Sequence, residues 1–170
     1  MKKGFTIVEL LIVIVVIAIL AAITIVAYNG IQTRAQQSKI DTDIAAITRA
    51  IHAARSAESK TLMQITGSTA TGGNCWGKAN GTDLAALSTS DGCWTTYFNT
   101  LNTLGTITGA KLSGLVDPWG RPYLIDENEG EGGGCTMDTV SVYKRPFTNG
   151  FGVMAGMTQN NIPRSGYSGC

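Results

Sequence analysis

A continuous apolar stretch near the start of the chain limits its fold more than any other feature. From Phe5 to Ala27 it reads FTIVELLIVIVVIAILAAITIVA, in which Glu9 is the only charge. As an α-helix this run is about 35 Å long, enough to cross a hydrocarbon core of about 30 Å. Met1-Lys2-Lys3-Gly4 precedes it, and a basic flank stays on the cytoplasmic side, so everything after residue 30 is expected outside the cytoplasm. A cleaved secretory signal has a shorter apolar core followed by a small-residue site, for which Ala21-Ala22 is a poor substitute.

A carboxylate in such a segment costs a few kcal/mol in hydrocarbon and implies a partner. Glu9 either snorkels to the headgroups or pairs with a positive group on another copy of the chain. Lys2-Lys3-Gly4-Phe5-Thr6-Ile7-Val8-Glu9-Leu10 resembles the class III signal of type IV prepilins and pseudopilins. The resemblance implies cleavage between Gly4 and Phe5 by a prepilin peptidase and N-methylation of the new Phe5 amine. It also implies a bond from Glu9 to the N-terminal amine of a neighbouring subunit. An ammonium at Phe5 and a carboxylate at Glu9 would register helices in an otherwise featureless apolar bundle. At Val26 the chain lacks the helix-bending proline of many relatives, and Asn29-Gly30 offers a weaker breaking point.

Beyond Gly30 the apolar pattern becomes periodic. Ile40, Ile44, Ile47, Ile51 and Ala54 recur at steps of four and three, with Lys39, Asp41, Asp43, Arg49 and Arg55 between them, which predicts an amphipathic helix laid on a β-sheet. His52, the only histidine, lies on this helix and is expected to face solvent or pack, since it has no second ligand nearby. From Ser59 onward Gly, Ser, Thr and Asn dominate, and mostly loops and short strands are expected, with one helical signal around Thr82 to Leu87. Pro122 to Ile125 and Thr139 to Tyr143 read as a hairpin, with a further strand near Gly152 to Ala155. Asp117-Pro118-Trp119-Gly120-Arg121-Pro122-Tyr123 is turn chemistry, and it resembles an element ahead of the C-terminal strands in major pseudopilins and some pilins. The expected class is α+β, with residues 1–4 as leader, 5–57 as N-terminal helix (5–27 for membrane and polymerisation) and 58–170 as head.

Four cysteines allow three pairings in an exported head. Expected are Cys75 with Cys93, closing a glycine-rich loop, and Cys135 with Cys170, pinning the last residue; the latter resembles the C-terminal disulfide loop of many pilins. Zinc would need closer thiolates. The acidic run Asp126, Glu127, Glu129 and Glu131 is read as a solvated hairpin tip, with calcium as the rival because the resembled pseudopilins hold calcium in a C-terminal loop.

A net charge of +1 over 170 residues provides no overall basic field, so any nucleic-acid role would be local. Trp76, Trp94, Tyr97, Lys78 and Lys111 are the candidates for an aromatic and basic surface, with burial beside a disulfide as the commoner reason for such aromatics. No nucleophile motif or phosphate-cradling loop is present, which leaves a membrane-tethered enzyme as a remote alternative. The expected function is a structural subunit of a type IV pilus serving adhesion, motility or DNA uptake, with a type II secretion pseudopilin as the alternative. No cofactor is expected. The expected partners are further copies of the chain in a helical homopolymer, prepilin peptidase, inner-membrane assembly machinery and minor pilins.

Overall fold

The structure is a computed structural model that describes residues 4, 6–68, 71–131, 136–150, 153–154 and 156–167. Helix α1 covers Ile7–Glu58. The chain divides into two compact units, Met1–Gln36 and Gln37–Cys170, so the second part of α1 belongs to the head. The class is α+β, as expected.

Within the second unit the isoleucine stripe of α1 is the core. Ile40, Ile44, Ile47, Ile51 and Ala54 are fully buried, in one cluster with Tyr123, Ile125, Val140, Val142 and Ile162 from the strands. Strands β1 (Tyr123–Asp126), β2 (Asp138–Val142) and β3 (Asn160–Ile162) form an antiparallel sheet in the order β1-β2-β3. Tyr123 lies opposite Val142 and Asp126 opposite Thr139, and Asp138 lies opposite Ile162. The expected hairpin is therefore present within one or two residues of its predicted bounds. Near residues 152–155 the structure has only a bridge from Val153 to Tyr143, with residues 152 and 155 outside the described set, and the third strand forms later at Asn160–Ile162.

Both faces of the hairpin are covered. Strand side chains alternate between faces. Tyr123 and Ile125 enter the α1 cluster, whereas Leu124 enters a second cluster with Cys75, Leu84, Cys93, Tyr143 and Phe147. Short helices α2 (Leu62–Thr66) and α3 (Gly73–Trp76) precede a 3₁₀ turn at Leu84–Ala86 capped by Asp83. Gly72 allows the close approach needed here: a Cβ on it would lie 2.5 Å from Leu124 Cδ1 and 2.8 Å from the Tyr143 hydroxyl.

Helix α4, Gly92–Thr108, corrects the expectation of loops and short strands in this region. Six of its residues are threonine, which weakens the local helical signal, but Asp91 caps its start by accepting from Cys93 N–H and Gly109 ends it in the left-handed conformation. Trp94, Tyr97, Leu101 and Leu104 form a buried stripe at helical spacing, and that packing outweighs propensity.

The Cys75–Cys93 disulfide joins α3 to α4, as expected, whereas Cys135 and Cys170 lie outside the described residues. Its sequence separation of 18 gives about 3 kcal/mol of stabilisation by chain entropy. Replacing both cysteines by serine should lower the unfolding free energy of the full chain in detergent by about that amount. Urea titration followed by tryptophan fluorescence measures it.

Candidate functional site

The first candidate surface is the apolar part of α1. From Ile7 to Ile31 the exposure of the large apolar side chains, among those described, ranges from 49% at Val16 to 81% at Ile7. In the second unit the large apolar side chains that are exposed, among those described, are Met137 and Tyr167. A contiguous apolar surface of this kind marks a membrane or protein contact, and α1 is long and apolar enough to cross a bilayer.

Glu9 sits in the first turn of α1 with an unforeseen local partner. The Thr6 N–H and hydroxyl donate to Glu9 Oε2 at 2.9 and 2.7 Å, and Glu9 N–H donates to Thr6 Oγ1 at 3.3 Å. This is a reciprocal capping box, and its sequence signal is Thr6-x-x-Glu9. Both Thr6 donors use the same oxygen, and Glu9 Oε1 receives no hydrogen bond among the described residues. Gly4 is exposed, and a Cβ there would meet nothing within 4 Å, so the fold itself does not require glycine at this position. Lys2, Lys3 and Phe5 lie outside the described residues. Asn29 and Gly30, read as a breaking point, are both helical.

The acidic run after β1 is not a solvated tip. Asp126, Glu127 and Glu129 are buried, and of the four only Glu131 is exposed. Glu127 accepts from Thr71 N–H at 2.6 Å and from the hydroxyls of Thr71 and Thr66. Glu129 accepts from Ser165 N–H at 2.8 Å and Gly166 N–H at 3.0 Å. Asp138 pairs with Arg55 of α1 and accepts from Glu129 N–H at 2.8 Å, while Arg55 also reaches the Pro163 carbonyl at 2.9 Å. The carboxylates are thus satisfied by protein donors, Glu129 and Asp138 sharing Arg55, and among the described residues no three acidic, histidine or cysteine side chains converge on a cation position. Spacing along the chain could not reveal this for Glu127 and Glu129, because the Thr71 and Ser165 donors lie 56 and 36 residues away.

Burial pushes the Glu127 carboxyl up to about 7, with the Thr71 donors offsetting part of the effect. Burial likewise raises Asp126 and Asp138. For Glu129 burial is outweighed by the Ser165 and Gly166 donors together with Arg55, leaving it below the usual range.

The aromatic and basic candidates do not form one surface. Trp94 and Tyr97 are buried on α4, the Tyr97 hydroxyl donating to the Leu115 carbonyl at 2.8 Å. Lys78 pairs with Asp91 at 2.6 Å. His52 is exposed, in line with its expected position.

Residues 1–25 match the family model described as the prokaryotic N-terminal methylation motif. Over 53 residues the chain is 43% identical to a protein of Moraxella bovis described as "Type IV major alpha-pilin", a match covering 31% of this chain and 33% of that relative. The chain thus spans about a third of the relative's length. No solved structure gives a significant match.

The buried acids predict a pH dependence. The folded-state pKa of Glu127, about 7, lies above its ordinary value of 4.5. The folded chain therefore binds this proton more tightly, and the resulting stability, present below pH 4.5, is lost as pH rises towards 7. The head should melt at a higher temperature at pH 5 than at pH 8, and Glu127→Gln should reduce that difference. Near-UV circular dichroism melts of the full chain in detergent check both points.

Proposed function

With an N-terminal segment of the type IV pilin and pseudopilin family as the premise, we propose that this chain is the structural subunit of a type IV pilus, polymerising through its apolar helix. The observation that carries the reading is the segregation of exposed apolar surface onto residues 7–31, directly after a basic leader. In the membrane, lipid covers this surface; in a filament, the same surface of other copies does. Residues 1–4 are the leader, 5–27 the membrane and polymerisation segment, and the head is exported.

Prepilin peptidase cuts between Gly4 and Phe5, and the open space at Gly4 supports its retention for recognition rather than for folding. The Phe5 amine is then methylated and becomes the cation for a neighbour's Glu9. The capping box is compatible with this role, because Thr6 occupies Oε2 and leaves Oε1 for the incoming ammonium. The role is mechanical rather than catalytic. The relative described as a major pilin favours a pilus. The turn at Asp117 supports the second reading, a pseudopilin: Asp117 accepts from Trp119 N–H at 2.9 Å and Arg121 N–H at 2.8 Å, in the element that resembles major pseudopilins. Abundance in long surface filaments decides for the pilus, and confinement to short periplasmic ones decides for the pseudopilin.

Mass spectrometry of assembled protein should find Phe5 as an N-methylated first residue, and a chain retaining Lys2 and Lys3 or beginning after Ala22 would sink the processing scheme. Glu9→Ala should leave membrane insertion intact while filaments disappear, because the substitution lowers the cost of residing in lipid and removes the intersubunit partner. Electron microscopy with membrane-fraction blots separates the cases, and normal filaments from Glu9→Ala would refute the pairing.

A further inference from the structure

A cleft of about 330 Å³ opens on the head beside Trp119, bounded by Gly81, Asp83, Arg121, Arg145 and Phe147. Two guanidiniums lie over the Trp119 ring, Arg121 at 5.2 Å and Arg145 at 5.0 Å from its centroid. They are not equivalent. Arg121 is buried, bonded to Asp117 and to the carbonyls of Tyr143 and Lys144, so it positions the ring. Arg145 is exposed and, among the described residues, donates to no carboxylate or carbonyl, its contact being the tryptophan face. Asp83, on another wall, uses Oδ1 to accept from Ala85 N–H at 3.0 Å, and no described donor reaches Oδ2.

The cleft therefore presents a planar cation, a carboxylate oxygen available as acceptor, and aromatic surface. A guanidinium fork matches a carboxylate bidentately. Asp83 would accept from hydroxyls and would repel a run of phosphates. The volume of the cleft is at the small end of ligand sites and suits a single sugar ring. Among the described residues as a whole, more acids than cations are buried: Asp43, Asp117, Asp126, Glu127, Glu129 and Asp138, against Arg55 and Arg121.

We propose that the cleft formed by Trp119, Arg145 and Asp83 binds a carboxylated sugar of the hexuronic acid class, with Arg145, backed by Trp119, on the carboxylate and Asp83 on ring hydroxyls. This site lies on the head and does not depend on polymerisation.

The test uses the full chain in detergent micelles at fixed ionic strength, titrated with a trigalacturonate, its methyl ester and an oligothymidylate, and read by calorimetry and tryptophan fluorescence. The trigalacturonate should bind and change the fluorescence. Affinity should fall at least about tenfold for the methyl ester and for Arg145→Ala, the size expected for a lost charge-assisted pair. It should fall several-fold for Asp83→Asn, which keeps the cap. An unchanged near-UV spectrum shows that each variant is folded, and Arg145→Gln replaces the alanine variant if that one unfolds. Equal binding of the ester, undiminished binding by the folded Arg145 variant, preference for the oligothymidylate, or no binding of trigalacturonate would each overturn the proposal.

Discussion

The isoleucine ladder on the second part of α1 is the surface on which the head is assembled. Ile40, Ile44, Ile47 and Ile51 are fully buried and share one core with strand residues Tyr123, Ile125, Val140, Val142 and Ile162 and with Leu101 and Leu104 of α4. Without that stripe the three short strands would have no apolar floor on one face, and a hairpin alone is marginal in water. The stripe is flanked by polar contacts that orient the sheet on it. The Tyr123 hydroxyl donates to Asp43 at 2.7 Å, and Arg55 binds Asp138 and the Pro163 carbonyl.

The other organising choice is where carboxylates are placed. Glu127 holds the segment after α2, Glu129 holds the chain at Ser165, and Asp138 receives Arg55. These loops have few apolar anchors, and charge-assisted hydrogen bonds to backbone N–H groups fill that role. Burying these acids carries two consequences. Their titration becomes part of the head's stability, and among the described residues the exposed surface retains more of its cations than of its acids.

Glu9 has one environment in the single chain and, in the proposed filament, would have a second. In the single chain it closes a capping box with Thr6 that satisfies orphan donors at the start of α1. Its second oxygen is unengaged among the described residues, in a helix with no other charge between Ile7 and Arg34. A lone acceptor in such surroundings has few ways to be neutralised, and a cation from another copy is the one the filament reading supplies.

What the sequence determined by itself is whatever is encoded by contiguous or regularly spaced residues. The apolar run, the Lys-Lys-Gly-Phe start, the isoleucine period of α1 and the β1–β2 hairpin were all legible, because burial on one face imposes a local period. The Cys75–Cys93 link was also within reach, through loop closure between near neighbours. Only the tertiary structure decided that the threonine-rich segment from Gly92 to Thr108 is a helix, since its stripe of Trp94, Tyr97, Leu101 and Leu104 needs a core to bury against. It likewise decided that the acidic turn faces inward, that β3 begins at Asn160, and that Arg145 and Asp83, 62 positions apart, line one cleft. The physical reason is the same in each case. The deciding partner lies far along the chain, and propensity and spacing carry no information about which distant donor or apolar face will be folded against a given residue.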